Sequence, residues 1–366
     1  MNKIALISLG VWAAACTTAQ AQSNVTVYGL LDASVEHLTN VGAAGDGLTR
    51  MPGLTGSVPS RLGFRGTEDL GNGLKAVFTL ESGFGVDGGT FNQGGRAFGR
   101  QAFVGLSGNW GTLTLGRQYS MLFWSQLDAD ILGPNAFGSA SLDNYLPNAR
   151  VDNAIAYRGT FSGVTLGATY SLGRDTVNAG PSPAGTNCAG ESATDKQACR
   201  QWSVMAKYDA PNWGVAVAVD EMRGGPGAFA GLTSSSMKDR RSTLAGWAKV
   251  GGVKVGAGLI ARDNDASVAA PRSNLWYVGA AYHATPALVL DGEVFKLDYK
   301  NSRNSAMLYA LRATYNLSKR TAVYATAGHI SNKGTLALSV SNAAAGGTPA
   351  AGEGQTGVAV GIRHSF

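Results

Sequence analysis

Few residues of this 366-residue chain stand at spacings that are typical of catalytic or ligand-binding motifs. Residues 83–88 fit the pattern GxGxxG, whose glycines can cradle a phosphate where a strand passes into a helix. More glycine follows here instead of a helical pattern, so we interpret these residues as a loop. The sequence contains neither HExxH nor GxSxG, and its histidines lie on separate segments. They are His37, His283, His329 and His364. We therefore predict no enzyme activity, no metal site and no cofactor.

Two cysteines, Cys188 and Cys199, lie in a stretch that is rich in Pro, Gly, Ser and Thr. Export to an oxidising compartment would permit a disulfide, and the short spacing favours a local loop staple over a bridge through a core. A metal site would need further ligands, and none lies nearby in the sequence. We therefore favour a disulfide between Cys188 and Cys199.

The beginning of the chain has the pattern of a secretory signal. Lys3 precedes an apolar stretch over 4–15, and Ala19-Gln20-Ala21 forms a small-x-small cleavage site. The apolar stretch is too short for a membrane-spanning helix. We predict a signal peptide at 1–21 and an exported mature chain, forming one domain, at 22–366.

The composition combines much glycine with little charge. Glycine accounts for 51 residues and charged residues for 15% of the chain, against roughly 25% charge in ordinary soluble domains. Glycine at this level argues against a long helical bundle, because each one costs a helix interior about 1 kcal/mol relative to alanine. The 12 Tyr, 12 Phe and 7 Trp argue against disorder. The net charge is +6, and the sequence contains no run of basic residues longer than two. We therefore predict no nucleic-acid partner.

Apolar and polar residues alternate along most of the chain, which is typical of strands with one apolar and one polar face. In segment 306–317, for example, Tyr309 and Leu311 oppose Arg312. About sixteen such segments are predicted. They are 24–37, 59–67, 73–84, 98–108, 111–118, 150–160, 163–172, 201–210, 212–223, 239–250, 252–262, 272–283, 287–300, 306–317, 321–331 and 355–366.

The connections between these segments alternate between tight turns and long loops. The long loops are 38–58, 119–149, 173–200, 224–238 and 332–354. An even number of strands with turns at one end and loops at the other is typical of bacterial outer-membrane barrels. Lipid against the apolar face would explain the low charge, since a charge there costs about 2–4 kcal/mol at mid-bilayer. A secreted β-helix or tandem β-sandwiches could also alternate, but neither predicts this pattern of loop lengths.

The same alternation predicts which charged side chains point into the lumen. On 59–67, outward Leu62 and Phe64 turn Arg61 and Arg65 inward. On 98–108, which alternates less cleanly, an outward Phe103 leaves Arg100 inward. On 150–160, the expected assignment is outward for Val151, Ile155 and Tyr157, and inward for Arg150, Asp152 and Arg158.

Several stretches carry a family resemblance over essentially the whole mature chain. They are Val25-Thr26-Val27-Tyr28-Gly29, Ser60-Arg61-Leu62-Gly63-Phe64-Arg65-Gly66, Leu115-Gly116-Arg117-Gln118, Leu317-Ser318-Lys319-Arg320-Thr321 and the chain end Val360-Gly361-Ile362-Arg363-His364-Ser365-Phe366. Together they resemble the Gram-negative general porins, above all the trimeric porins of β-proteobacteria. The resemblance implies an all-β fold of sixteen antiparallel strands, a homotrimer and a third loop folded into the barrel. It also implies that the final aromatic residue, Phe366, is a signal for the outer-membrane assembly machinery.

The resemblance further implies a pore constriction in which arginines on one wall face acidic residues of the third loop. Arg61, Arg100 and Arg150 match the basic positions, and 119–149 is the third loop. On this loop Asp130 matches one acidic position, Asn135 stands at the neighbouring one, and whether Asp128 replaces it stays open.

The combined prediction is an outer-membrane porin for passive diffusion of ions and small hydrophilic solutes. A ring of charges of one sign selects ions of the other sign, so the arginines predict a modest anion preference. Leu30, where enteric relatives carry a lumen lysine, weakens that preference. We expect the protein to contact outer-membrane lipid and lipopolysaccharide. The alternatives are a solute-specific channel of the same architecture and, in a different class, a barrel hydrolase.

Overall fold

The computed structural model describes residues 24–54, 57–175, 188–226, 228 and 231–366. The predicted signal peptide, 1–21, lies outside the described residues. Within them, seventeen strands form a single antiparallel sheet. They are β1 (Asn24–Val41), β2 (Asp46–Arg50), β3 (Arg61–Gly71), β4 (Leu74–Gly83), β5 (Gln101–Gly108), β6 (Gly111–Tyr119), β7 (Arg150–Phe161), β8 (Val164–Ser171), β9 (Gln201–Asp209), β10 (Trp213–Arg223), β11 (Lys238–Val250), β12 (Val253–Asn264), β13 (Arg272–His283), β14 (Leu288–Tyr299), β15 (Ser305–Asn316), β16 (Thr321–Lys333) and β17 (Gly354–Ser365).

The sheet closes on itself through β1. Leu30 lies opposite Arg61 of β3 and also opposite Ser365 of β17, so the first strand joins both of its neighbours. β2 is a short addition that pairs only with the loop end of β1. The remaining sixteen strands form a closed antiparallel barrel, which confirms the predicted fold. Closure matters in a membrane because an open sheet edge would leave unpaired backbone groups in hydrocarbon.

Strand bounds and facing agree with the sequence pattern in most places. On β15 and β17, Leu311 and Val360 are 67% and 61% exposed on the outer face, whereas Ala310 and Ala359, one residue away, are buried. Neighbouring residues in a strand point to opposite sides, so one side of this wall is built for lipid. The short strand β2 within the predicted loop 38–58 was not expected.

Two residues that the pattern assigned to the lipid face lie elsewhere, so these two predictions are wrong. Phe103 pairs with Thr79 and lines the lumen, and its neighbour Val104 is the lipid-exposed residue. Val151 is fully buried, because Asn153 adopts a positive φ of 48° and the register between β6 and β7 shifts there. A shift of one residue reverses the facing of every side chain beyond it.

The connection between β6 and β7 folds into the barrel, as predicted for the third loop. It contains helix α2 (Met121–Gln126) and 3₁₀ turns at Ser139–Ser141 and Leu146–Asn148; a shorter helical turn, α1 (Asn92–Gly95), precedes β5. None of the helices in the described ranges is long and apolar enough to cross a membrane.

Apolar packing holds the third loop against the inner wall. Phe137 and Leu142 of the loop share one buried cluster with Phe295 of β14 and Ile330 of β16. Burying side chains of this kind stabilises a fold by about 1.5–3 kcal/mol each. At Gly256 of β12, a Cβ atom would collide with the carbonyl oxygen of Ala129 in the loop. The wall and the loop therefore touch backbone to backbone at this point.

Candidate pore constriction

Arg100 is anchored just before the start of β5. Its Nε donates to Oε1 of Glu81 at 2.7 Å, and its Nη2 donates to the hydroxyl of Tyr119 at 2.7 Å. The backbone N–H of Arg100 also donates to the carbonyl oxygen of Glu81 at 3.0 Å. Because Arg100 precedes the strand, strand alternation does not determine the direction of its side chain. Its guanidinium nevertheless reaches the inner face.

Arg150 begins β7 and meets the same phenol. Its Nη2 donates to the Tyr119 hydroxyl at 2.6 Å, and its guanidinium carbon lies 4.4 Å from the centre of the Tyr119 ring. Its Nη1 donates to the carbonyl oxygen of Pro147 at 3.0 Å. The arginine and the tyrosine are both at least 95% buried, which holds the guanidinium in one orientation.

Arg61 completes a basic wall at the loop ends of the strands. Its Nε donates to the carbonyl oxygen of Pro59 at 3.2 Å, and its charge interacts with those of Arg100 and Glu81. The structure thus brings the three predicted arginines together with one carboxylate. Neither Glu81 nor Tyr119 was singled out from the sequence, although Glu81 stands at an inward position of segment 73–84.

The predicted acidic partners lie against other walls, contrary to the expectation that they face the arginines. Asp128 forms an ion pair with Nζ of Lys207 on β9 at 2.5 Å. Asp130 is buried, accepts a hydrogen bond from the Ser139 hydroxyl at 2.6 Å and contacts Glu293 of β14. Burial raises the pKa of Asp130 to about 6. Both carboxylates follow α2, which turns this part of the loop towards the far wall.

The loop instead presents uncharged groups to the basic wall. A cavity of about 40 Å³ separates Arg100 and Arg150 from Pro134, Asn135 and Ala140 of the loop. Within the described ranges, no carboxylate lines this cavity. Within the described ranges, the basic wall therefore combines three guanidinium groups with the carboxylate of Glu81.

A buried ion pair fixes the far end of the third loop. Asp143 accepts two hydrogen bonds from Arg241 of β11, at 2.7 Å from Nε and 3.0 Å from Nη2. The Arg241 guanidinium also lies 4.5 Å from the ring centre of Tyr145, whose hydroxyl donates to Asp220 at 3.2 Å. Although burial opposes ionisation, the positive charge of Arg241 lowers the pKa of Asp143 to about 2. A bidentate pair of this kind is geometrically specific.

The other charges predicted for the lumen have different neighbours. Asp152 pairs with Arg117 at 2.6 Å and with Arg96 at 3.4 Å. Arg65 lies 5.2 Å from the ring centre of Tyr28, and Arg158 lies 4.2 Å from that of Trp124. Asp152 is therefore neutralised by its neighbours, whereas the two stacked arginines keep their charge towards the lumen.

Two further predicted features, the disulfide and the terminal aromatic residue, lie away from these arginines. Cys188 and Cys199 are joined by a disulfide, with their Cα atoms 5.2 Å apart. Phe366 exchanges two backbone hydrogen bonds with Gly29, at 3.1 and 3.2 Å, and its ring covers that glycine, where any side chain would collide with it. The last residue therefore completes the closing seam of the barrel.

No cluster of three or more potential metal-ligating side chains occurs in the part of the chain that the structure describes.

Comparison with known proteins agrees with this architecture. A family model of Gram-negative porins matches residues 5–335. Outer membrane porin protein 32 of Delftia acidovorans is 33% identical, and an outer membrane porin protein of Bordetella pertussis 29%, each with full coverage of both chains. The solved structure of an anion-selective porin from Comamonas acidovorans superposes with a TM-score of 0.71 at 26% identity, covering 94% of this chain and 100% of its own. The chain belongs to the Gram-negative porin family, and it is an outer-membrane barrel through which small hydrophilic solutes diffuse passively.

Proposed function

We propose that this porin selects small anions at a constriction formed by Arg61, Arg100 and Arg150. The observation that carries the proposal is the uncharged loop surface opposite Arg100 and Arg150, since Asp128 and Asp130 are engaged elsewhere. A narrow gap with a net positive wall raises the local concentration of anions and repels cations. The likeness to an anion-selective porin supports this assignment.

The charge count agrees with the upper end of what the sequence suggested. The expected arrangement set three arginines against one or two loop aspartates, a net charge of +2 or +1, and three arginines with Glu81 again leave +2. In the structure the arginine wall keeps one carboxylate, Glu81, which accepts from Arg100 at 2.7 Å. The charges of Arg61 and Arg150 have no ion-pair partner in the described ranges.

Ion selectivity is measured directly from the reversal potential of the mature protein in a planar bilayer under a KCl gradient. We expect the sign that corresponds to chloride passing more readily than potassium. A reversal potential of the opposite sign contradicts the proposal. Salt-dependent loss of the preference is expected, because the Debye length falls from about 10 Å at 0.1 M to about 3 Å at 1 M.

We further propose the state in which the channel works. Residues 1–21 are removed on export, the mature chain forms a homotrimer in contact with lipid and lipopolysaccharide, and Phe366 is recognised during barrel assembly. The placement of Phe366 supports the last point, because its two backbone hydrogen bonds to Gly29 extend the closing seam between β1 and β17 to the end of β17. We also infer that transport involves no catalytic step. Mass determination of the mature, detergent-solubilised protein tests both the cleavage and the trimer.

A further inference from the structure

A second basic region lies below the constriction, towards the short turns. Arg65 pairs with Thr79 across β3 and β4, and Arg158 pairs with Thr112, the second residue of β6 after its short turn from β5. Along β7, eight residues separate Arg158 from Arg150, which corresponds to roughly 27 Å of strand. A solute that has passed the constriction therefore meets these arginines next.

The two arginines border a cavity of about 340 Å³, within the range of roughly 300–1,000 Å³ that is typical of small-molecule sites. Its wall includes the aromatic side chains of Tyr28, Phe103 and Trp124. No carboxylate lines it within the described ranges. The cavity thus combines positive charge with aromatic surface.

Both guanidinium groups are oriented by stacking and are otherwise unused. Arg158 lies 4.2 Å from the ring centre of Trp124, and Arg65 lies 5.2 Å from that of Tyr28. Neither forms a hydrogen bond or an ion pair through its guanidinium in the described part of the chain. A stacked guanidinium keeps its N–H groups in the plane of the group, where a carboxylate can accept two of them.

This arrangement differs from that at the constriction. There, Arg100 is engaged by Glu81 and Tyr119, and Arg150 by Tyr119 and a backbone carbonyl oxygen. Their donors are largely satisfied by the protein, which suits rapid passage of any small anion. The donors of Arg65 and Arg158 remain available to a solute, and the neighbouring rings favour a solute that has a ring of its own.

We propose that this cavity is a binding subsite for aromatic carboxylates in transit through the channel. The carboxylate accepts hydrogen bonds from Arg65 and Arg158, and the aryl ring packs against Phe103 and Trp124. The proposal rests on the proposed anion preference and adds a solute class to it. Such a subsite would make flux of these solutes saturate, whereas flux of chloride would not.

The test compares benzoate with cyclohexanecarboxylate, which has the same charge and similar size but no aromatic ring. Each acid is titrated against the chloride current of the wild-type channel in a planar bilayer, and the half-saturating concentration is determined. We expect benzoate to saturate at a concentration lower by about fivefold, the ratio that aromatic pairing of about 1 kcal/mol corresponds to. Equal half-saturation of the two acids, or no saturation by benzoate, overturns the proposal.

Two variants separate the charge from the ring. Arg158→Gln should raise the half-saturating concentration of benzoate by about tenfold, as expected for loss of a charge-assisted hydrogen bond. Trp124→Leu should remove the difference between the two acids. The matched control is Lys254→Gln, which removes a positive charge from the lumen face of β12 and should leave both values unchanged. If Arg158→Gln leaves the half-saturating concentration of benzoate unchanged, as Lys254→Gln should, the proposed subsite is contradicted.

The same channels report the chloride-to-potassium preference through the reversal potential, so the two proposals fail separately. An anion preference without discrimination between the acids contradicts the subsite alone. A cation preference contradicts the proposed function whatever benzoate does. A folded, detergent-resistant oligomer on a gel, for each variant, shows that a changed current does not arise from misfolding.

Discussion

Arg100 and Arg150 donate hydrogen bonds to the same phenolic oxygen, that of Tyr119, at 2.7 and 2.6 Å. Two positive groups are thereby held side by side by one neutral acceptor. The repulsion between them is offset in part by Glu81, which accepts from Arg100 at 2.7 Å. The phenol therefore fixes the geometry of the basic wall without cancelling its charge.

Removal of this shared acceptor should loosen the wall but leave its charge. Hydrogen bonds to charged groups contribute about 1.5–3 kcal/mol each. Tyr119→Phe removes two of them, so it should lower the free energy of unfolding by about 3–6 kcal/mol. Chloride preference should persist, because every charge remains. Urea unfolding followed by tryptophan fluorescence measures the first effect and the reversal potential the second. Tyr208→Phe, which removes a hydroxyl from the outer face, is the control. Loss of chloride preference in Tyr119→Phe would contradict this interpretation.

Replacement of Arg61, Arg100 and Arg150 together by Ala should abolish the anion preference. The carboxylate of Glu81 then becomes the dominant charge of the wall, so the reversal potential should move towards cation preference. Single-channel conductance should increase, because three long side chains are removed from the narrowest part. Arg320→Ala, in an exposed turn, should change neither quantity. An unchanged reversal potential in the triple variant would exclude these arginines from the constriction.

The pair of Asp143 and Arg241 should stabilise the third loop in a pH-dependent way. The pKa of Asp143 is lowered to about 2 from its ordinary 3.8, so the folded state favours the ionised form. This stability is fully present above about pH 4 and is lost as pH falls towards 2. Asp143→Asn should therefore lower the free energy of unfolding at pH 7 by about 2 kcal/mol. The gap between variant and wild type should narrow in acid, and a gap that is constant from pH 7 to 2 would contradict the ion pair's role.

At Asp130 we expect stability to depend on pH in the opposite direction. Burial beside Glu293 raises the pKa of Asp130 to about 6 from 3.8, so the folded state favours the protonated form. Stability from this group is present below about pH 4 and is lost as pH rises through 6. Asp130→Asn, which mimics the protonated acid, should be more stable than wild type at pH 7 and equal to it at pH 4. Unfolding curves at the two pH values decide the matter, and a variant that is less stable at pH 7 would refute it.

The sequence alone determined the barrel and, for most strand residues, whether the side chain points to lipid or to the lumen. A strand has a side-chain period of two, and the side that faces lipid excludes charged residues. The residue types therefore predict that Leu311 points outward and Arg312 inward. The tight turns and long loops followed from the same pattern, since glycine, proline and polar residues interrupt it. Local alternation is sufficient where the physical cause, water on one side and hydrocarbon on the other, acts on every residue.

Local alternation failed where the backbone departs from a regular strand. The positive φ of Asn153 reversed the facing of Val151, and Arg100 lies outside the strand to which its segment was assigned. Nothing in a single stretch of sequence reports a register shift between two strands. Such positions are decided by the pairing with a neighbour.

The tertiary structure alone decided which charges meet at the pore. Asp130 lies 163 residues from Glu293 in the chain, and Asp143 lies 98 residues from Arg241. The contacts between these distant residues turn the loop acids away from the arginines. The loop has no repeating pattern from which its side-chain directions could be inferred. Its course is set by packing of Phe137 against the far wall. The sequence thus supplied the arginines, and the folded loop determined that uncharged groups face them.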